Sequence, residues 1–304
     1  MRQRTLSTTY SFEGKGLHTG VRSSIVIRPA ASDTGIVFRR TDAGGALVAA
    51  RAENVSSTAR STTLSAGGVE VNTVEHLMSV LTGLGVDNAL IDIDNVEVPI
   101  LDGSASPYLA AMAGDSLVEQ DTERKYLEIS EPVEVKDEKS GSYVRIEPAD
   151  DFSYEVTVDF GSEILGVQKA RWEASVDYVT QIGVCRTFVF FHEIEFLFAN
   201  NLIKGGDVDN AIIIAEHPVD AARIERLSAL FGRRDITVRG TDGRGYLSNV
   251  DLHFPDECGR HKLLDLIGDM RLAGGFLKAR VTAYKPGHGI NTTAAKALSA
   301  ALKR

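Results

Sequence analysis

The chain has 304 residues, enough for about two compact domains of ordinary size. Hydrophobic residues make up 43% and charged residues 25%, close to the globular average, which excludes wholesale disorder and fibrous repeats. The 33 basic and 42 acidic residues give a formal net charge of −9, and no dense Lys/Arg block is present, so nucleic acid is excluded as an expected partner.

Cysteine usage and apolar runs indicate the compartment. Cys185 and Cys258 are far apart and form no C-x-x-C pattern, which argues against a disulfide framework and a thiolate zinc site. No run approaches the roughly 20 apolar residues that span a bilayer, and the start of the chain lacks the apolar core of a signal peptide. We therefore expect a cytoplasmic protein without stable membrane insertion.

The first part of the chain contains the patterns of an antiparallel sheet and one helix. Short β-branched runs bounded by turn residues predict strands, and apolar residues at helical spacing predict an amphipathic helix. The predicted elements are strands at 23–29, 36–40 and 88–94 and a helix at 73–85, capped by Thr73 or Asn72.

An acid-rich polar stretch at 113–125 predicts a linker, so we place the domain boundary near residue 125, giving domains 1–125 and 126–304. The later patterns predict strands at 142–148, 154–160 and 277–285, the last being the closing strand, and helices at 188–203, 219–231 and 259–273. The second half thus repeats the sheet-then-helix order of the first. Strands and helices mixed without strict alternation predict an α+β fold.

The predicted helix at 259–273 has two sharply different faces. A helical wheel places His261, Asp265 and Asp269 on one face and the core residues on the other. His261 and Asp265, at i and i+4, can bind one metal ion, and Asp269 can orient a neighbouring group. On its own, however, such a triple is more often a set of charges on a solvated helix face.

Two further histidines extend this hypothesis. His76 could supply a third ligand, and the adjacent Glu75 could take a proton from a metal-bound water, but a helix-start acid beside a packed histidine is the alternative. His288 lies between glycines after a predicted strand, where we expect an exposed loop. Near Asp269 it would be an imidazolium able to stabilise an oxyanion or protonate a leaving amine; otherwise it is a solvated histidine.

The segment 185–206 is rich in aromatic residues. It holds five of the twelve phenylalanines, Phe188, Phe190, Phe191, Phe196 and Phe198. Both an apolar groove and a buried helix are consistent with this composition. Its HEIEF string, 192–196, excludes a helical zincin metalloprotease, because position i+4 from the histidine is Phe196.

Eight segments together carry a resemblance that no single motif carries. They are QRTL (3–6), GLHTG (16–20), TVEHLMSVLTGLGVDN (73–88), VPILDGSASPY (98–108), RTFVF (186–190), LIKGGDVDNAI (202–212), RHKLLDLIGDM (260–270) and AYKPGHGIN (283–291). The chain closely resembles the UDP-3-O-acyl-N-acetylglucosamine deacetylases of lipid A synthesis, nearly end to end. The resemblance implies two similar domains, each a β-sheet layered against helices, packed as a β-α-α-β sandwich with the active site between them and inserts nearby.

The resemblance also implies roles for particular residues. The implied ligands of one catalytic zinc ion per chain are His76, His261 and Asp265, and such a site also accepts iron(II). The implied catalytic groups are Glu75 as general base, His288 paired with Asp269 as the protonated group, and Thr187 as a contact to the oxyanion. The implied substrate contacts are Lys262 near the phosphates and Phe188, Ile194 and Val208 along the acyl passage.

The implied reaction is the committed step of lipid A biosynthesis in Gram-negative bacteria. It hydrolyses the N-acetyl group of UDP-3-O-(3-hydroxyacyl)-N-acetylglucosamine and releases acetate, with the enzyme working near the inner membrane surface. Which of Glu75 and His288 protonates the leaving amine stays open. Two alternatives remain: a zinc amidohydrolase acting on another acylated amino sugar, and a catalytically silent nucleotide-lipid binding protein.

Two segments depart from the usual family pattern. Residues 161–166 stand where many members have a His-Pro pair, and the connection at 216–249 is unusually long. In this, and in the Phe-rich segment, the chain resembles the branch whose deacetylase is fused to a 3-hydroxyacyl carrier-protein dehydratase. A fused or lost dehydratase domain is therefore an expected partner.

Overall fold

The computed structural model describes residues 1–114, 116–199, 204–233 and 236–302. The elements before residue 125 are β1 (Arg2–Leu6), β2 (Tyr10–Lys15), β3 (Arg22–Pro29), β4 (Ile36–Arg40), β5 (Ala46–Ala49), β6 (Val55–Ser57), β7 (Thr63–Ala66), β8 (Val69–Val71), α1 (Glu75–Leu84), β9 (Ala89–Ile93), α2 (Ser106–Met112) and β10 (Leu117–Glu123), with short 3-10 turns at Thr41–Ala43 and Ala52–Asn54.

The elements after residue 125 are β11 (Tyr126–Glu128), β12 (Val133–Lys136), β13 (Tyr143–Pro148), β14 (Ser153–Asp159), β15 (Val167–Glu173), α3 (Tyr178–Gln181), β16 (Phe188–Phe190), α4 (Phe191–Ala199), β17 (Ile212–Ala215), α5 (Ala221–Phe231), β18 (Val238–Arg239), β19 (Gly245–Leu247), α6 (Glu257–Arg271), β20 (Phe276–Tyr284) and α7 (His288–Leu302). Within the described ranges, every helix is too short or too polar to span a bilayer.

The two halves are built on main sheets of the same topology. The strand orders are β2-β3-β9-β4-β5 and β12-β13-β20-β14-β15, with β11 adding a short parallel pair to β20. In both sheets the last strand in the chain lies centrally, antiparallel to the second strand and parallel to the third. This repetition confirms the expected α+β fold of two similar layers. All strand pairs among the described residues stay on one side of residue 125, and the domain boundary itself stays a prediction.

Alternating side chains attach each main sheet to the core. In β14, Tyr154, Val156 and Val158 are buried, as their period-two spacing predicts. Phe160, which continues that alternation, lies just beyond the strand and is 48% exposed. The strand therefore ends before the alternation of apolar residues does, and the side chain of Phe160 lines a cavity.

The helices α1 and α6 pack against each other. Gly268 in α6 lies so close to α1 that an added Cβ would be 2.8 Å from the carbonyl carbon of Glu75. Glycine is required here because any side chain would force the two backbones apart. This close approach brings the start of α1 beside the polar residues of α6.

The start of α1 corrects one expectation. The N-cap is Val74, which cannot cap the helix with its side chain, and not Thr73 or Asn72. Thr73 has φ 59°, an uncommon left-handed conformation for a β-branched residue. Its hydroxyl donates to Glu97 and is therefore not available to the helix.

The predicted linker at 113–125 is largely a strand. β10 pairs antiparallel with β1, with Arg4 opposite Glu119. Its acidic residues alternate along an exposed strand face, which produced the polar composition that we interpreted as a linker. Residue 115 lies outside the described residues.

Two elements of the second half also differ from expectation. The helix predicted at 188–203 begins with strand β16, because residues 188–190 pair in parallel with β17; residues 200–203 lie outside the described residues. The strand predicted at 277–285 is present as β20, the last strand of the described residues, but the sequence did not predict the helix that follows it. The alanine-rich helix α7, a composition that favours helix, follows it and packs against α6.

Candidate active site

A cavity of about 210 Å³ lies beside the first turn of α1 and the second and third turns of α6. Its walls come from both halves of the chain and include most of the residues singled out by sequence. The lining residues that recur below are Leu17, His18, Thr73, Glu75, His76, Phe160, Thr187, Phe188, His261, Lys262, Asp265 and His288.

His76, His261 and Asp265 converge on one point of this cavity. Each offers one ligand atom, and the three atoms lie within 4.8 Å of one another. Nε2 of His261 is 3.4 Å from Oδ1 of Asp265, and Nε2 of His76 is 3.6 Å from the same oxygen. Ligands 2.0–2.1 Å from a tetrahedral zinc ion are separated by about 3.3–3.4 Å, so these distances fit such an ion.

The surroundings of the three residues also fit a metal. Oδ1 of Asp265 is buried without a hydrogen-bond partner, a costly state unless a cation occupies the point that it faces. Nδ1 of His261 lies 3.0 Å from the carbonyl oxygen of Cys185, to which it can donate, leaving the lone pair on Nε2 for the site. The described residues therefore contain a His-His-Asp group that could hold a metal ion, made of the three residues that the sequence predicted as ligands; their role as ligands stays a prediction.

Burial favours the protonation states that bind metals. It lowers the pKa of His76 to about 3, and it also lowers the pKa of His261, so both imidazoles are neutral. Burial acts to raise the pKa of Asp265, but Lys262 and the imidazoles of His261, His288 and His76 together outweigh it and hold that pKa well below its ordinary value. Two neutral imidazoles and one carboxylate are the forms that coordinate a divalent cation.

Glu75 lies next to this triad, with its carboxylate almost fully buried. Oε2 accepts a hydrogen bond of 3.0 Å from the backbone N–H of Thr62, while Oε1 is 3.7 Å from Nε2 of His288. Burial raises the pKa of Glu75 to about 7. A carboxylate poised near neutrality is suited to accept and return a proton.

His288 is the first residue of α7, and its side chain is only 10% exposed, so the expectation of an exposed loop histidine is wrong. Glycine neighbours suggested a loop, but α7 begins here. Nδ1 is 3.0 Å from Oδ2 of Asp269. Burial lowers the pKa of His288, but Asp269 and Glu75 outweigh it and raise that pKa to about 9. A pKa of about 9 favours the imidazolium that was predicted for this pairing.

Two residues that the sequence reasoning missed complete this network. Thr62 links the carboxylates of Glu75 and Asp269. The hydroxyl of Thr62 donates to Asp269 over 2.6 Å, and the backbone N–H of Thr62 donates to Glu75. Asn291 donates to Asp269 over 3.0 Å from the next turn of α7. A single threonine among several carries no pattern, whereas Asn291, three residues after His288, could have been found had α7 been predicted.

Thr187 and Lys262 both lie on the cavity wall, and their contacts with an oxyanion and with phosphates stay predictions. Two backbone hydrogen bonds of 2.8 Å fix Thr187: its N–H donates to the carbonyl oxygen of Gly103, and its carbonyl oxygen accepts from the N–H of Ile212. Lys262 donates to Oδ2 of Asp265 over 2.8 Å, and its Nζ is 5.7 Å from the ring centre of Phe188. One bond to Asp265 leaves Lys262 two further N–H donors.

The three residues assigned to the acyl passage separate in the structure. Phe188 lines the cavity, edge-to-face with Phe160. Ile194 and Val208 are buried in a small core formed by the insert around α4, β17 and α5. Contact of these two residues with an acyl chain stays a prediction. For the Phe-rich segment, both interpretations hold in part: Phe188 borders a groove and Phe191 is buried, whereas the side chain of Phe198 lies outside the described residues.

A His-His-Asp triad beside a buried carboxylate and a charged imidazole is typical of metal-dependent hydrolases. The chain matches the model of the UDP-3-O-acyl N-acetylglycosamine deacetylase (LpxC) family over residues 3–227 and 232–300, and it belongs to that family. The resemblance stated from the sequence is thus confirmed.

Individual relatives support the same assignment. The chain is 41% identical to the bifunctional enzyme LpxC/FabZ of Porphyromonas gingivalis and 40% identical to that of Bacteroides thetaiotaomicron, covering 65% and 64% of their lengths and 100% and 97% of its own. It is 40% identical to the UDP-3-O-acyl-N-acetylglucosamine deacetylase of Saccharophagus degradans, covering 96% of the chain and 88% of that relative. The chain therefore spans less than two thirds of the bifunctional relatives, and it resembles their branch as predicted.

Proposed function

We propose that the protein hydrolyses the N-acetyl group of UDP-3-O-(3-hydroxyacyl)-N-acetylglucosamine and releases acetate, the committed step of lipid A biosynthesis. The observation that carries the proposal is the convergence of a His-His-Asp triad, Glu75 and the His288–Asp269 pair on one cavity in a chain of this family. A nucleotide-lipid binder would need neither a base nor a charged imidazole beside a metal site.

His76, His261 and Asp265 would hold one zinc ion, for which neutral nitrogen ligands and a carboxylate are a suitable set. When bound, such an ion polarises the amide carbonyl and lowers the pKa of a water molecule towards neutrality. Lys262 stabilises the ionised form of Asp265 and so keeps this ligand in its binding state.

Glu75 acts as the general base in this scheme. The Thr62 N–H fixes Oε2, so that Oε1 is left on the side of His288 to take a proton from the attacking water. Because its pKa lies near 7, Glu75 can both accept this proton and return it.

His288 supplies the positive charge that the reaction needs. Asp269 holds Nδ1, which leaves the Nε2–H free to donate to the oxyanion or to the leaving amine. The hydroxyl of Thr187, on a backbone fixed from both sides, is a second donor for the oxyanion. Lys262 would bind a phosphate of the substrate and Phe188 its apolar chain, which is supported by the position of both residues on the wall of one cavity.

Acetate release from three related compounds tests the proposal. UDP-3-O-(3-hydroxyacyl)-N-acetylglucosamine should be hydrolysed, whereas the same acylated sugar without UDP and UDP-N-acetylglucosamine without the acyl chain should have much lower kcat/KM values. Equal hydrolysis of the compound without UDP would instead support an amidohydrolase of other acylated amino sugars. Binding of the full substrate without acetate release would support a silent binder. With this substrate the enzyme would work in the cytoplasm, near the inner membrane surface.

A further inference from the structure

Glu97 is a fully buried carboxylate behind the cavity wall. Its exposed fraction is 0%, and it is not among the residues that line the cavity. A buried carboxylate is costly unless all its lone pairs are satisfied. The structure meets this requirement with donors from two separate segments of the chain, both of which border the cavity.

The first segment is the 16–20 loop. Oε1 of Glu97 accepts the N–H of His18 over 2.9 Å, and Oε2 accepts the N–H and the hydroxyl of Thr19 over 2.8 and 2.6 Å. Gly16 permits this arrangement, because a Cβ there would lie 2.8 Å from that of Glu97. The carboxylate thus fixes the loop whose Leu17 and His18 line the cavity.

The second segment is the entry to α1. The hydroxyl of Thr73 donates to Oε1 of Glu97 over 2.9 Å. Thr73 has a left-handed φ of 59°, a strained conformation that costs about 1–3 kcal/mol and persists only where neighbours enforce it. Two residues later come Glu75 and then His76, so the conformation of Thr73 sets the direction in which both enter the cavity.

The 16–20 loop also reaches the second half of the chain. The N–H of Lys204 donates to the carbonyl oxygen of His18 over 3.2 Å, and that of Gly205 donates to Leu17 over 3.1 Å. Glu97 is therefore connected, through one loop, to the edge of the insert beside the cavity. A single side chain links the base, a metal ligand and the wall that faces them.

We propose that Glu97 is a positioning residue, which fixes the first turn of α1 and the 16–20 loop in the arrangement that the reaction requires. The proposal rests on the proposed deacetylase function for its kinetic consequences. Its structural basis, one carboxylate bonded to both segments, does not depend on that function.

Glu97→Gln tests this role with little change in shape. Either orientation of the amide turns its N–H towards a backbone N–H of His18 or Thr19, so part of the network must open. We expect kcat/KM to fall by roughly tenfold to hundredfold, mostly through kcat, because small misplacements of a reacting group have effects of this size. We also expect zinc affinity, measured by chelator competition, to fall about tenfold because His76 shifts.

Asp92→Asn is the matched control. Asp92 is also a buried carboxylate of the first half, bonded to Arg28 and Arg39 on the outer face of β9 and away from the cavity. It should lose stability in urea without losing zinc affinity or kcat. If the two variants lose equal stability and equal activity, or if Glu97→Gln keeps wild-type kcat and zinc affinity, the positioning role is wrong.

Thr73→Val provides a second test if Glu97→Gln does not fold. It removes one of the four hydrogen bonds and should lower kcat more than it raises KM, whereas unchanged kcat and zinc affinity would overturn the proposal. Failure of the proposed function has a different signature. Wild-type protein would then release no acetate from the substrate, but the zinc affinities of the variants would still decide the role of Glu97.

Discussion

Gly268→Ala should move His76, which lies in α1, away from His261 and Asp265, which lie in α6. An added Cβ would lie 2.8 Å from the carbonyl carbon of Glu75 and closer still to its oxygen. Carbon atoms in contact are normally about 3.5–4.0 Å apart, so α1 must move by at least about 0.7 Å. If this shift carries His76 directly away from Asp265, the distance between Nε2 of His76 and Oδ1 of Asp265 grows from 3.6 Å to about 4.3 Å. Two ligand atoms bound to one zinc ion can be at most roughly 4.2 Å apart, which is twice the length of a zinc–ligand bond.

We therefore expect Gly268→Ala to weaken zinc binding by at least about tenfold and to lower the free energy of unfolding by about 1–3 kcal/mol, as is usual for overpacked cores. Chelator competition and urea unfolding measure the two effects. Gly289→Ala is the control, because its nearest new contact is an ordinary 3.6 Å to Thr58. Unchanged zinc affinity in Gly268→Ala would refute the idea that the α1–α6 separation sets the ligand geometry.

Three further variants test the remaining groups. Wild-type kcat/KM should rise with pH through about 7, as Glu75 ionises, and fall through about 9, as His288 loses its proton. His288→Gln should abolish the fall in kcat/KM. It should also move the rise to higher pH, because the His288 imidazolium lowers the pKa of Glu75. The pKa of His288 in the folded state lies above its ordinary 6.5, so its contribution to the free energy of unfolding is complete below pH 6.5 and is lost as the pH rises towards 9. Urea unfolding of wild type and His288→Gln across this pH range would measure that loss. Glu75→Gln should lower kcat by about 10²–10⁴-fold and keep zinc bound; loss of zinc would contradict a role as base. Arg186→Met leaves the carboxylate of Glu257 buried without its partner and should cost about 3–5 kcal/mol of unfolding free energy, whereas a loss below 1 kcal/mol would contradict the importance of the pair.

The local patterns of the sequence predicted what depends on neighbours along the chain. The faces of α6 and the alternation of β14 were confirmed because a helix period and a strand period are written into short segments. The triad of His261, Asp265 and His76 was proposed from residue type and spacing, and family resemblance joined its two halves. Their actual meeting depends on Gly268, whose role is invisible without the packing of α1 on α6.

The sequence failed where partners are distant in the chain. The acid-rich stretch before residue 125 forms β10 because β1, more than one hundred residues away, offers it a pairing edge. Thr62 became important only when folding placed it between Glu75 and Asp269. The burial of His288 likewise depends on a helix that glycine neighbours concealed. These contacts result from tertiary structure, which local propensity does not encode.

Metal-dependent acetate release tests the central claim most directly. The purified full chain is incubated with UDP-3-O-(3-hydroxyacyl)-N-acetylglucosamine as isolated, after chelation, and after the return of one equivalent of zinc. Because His76, His261 and Asp265 lie close enough together to hold one metal ion, we expect turnover to disappear on chelation and to return with that single equivalent. Acetate release that survives complete metal removal, or stoichiometric zinc binding without any turnover, would contradict the account.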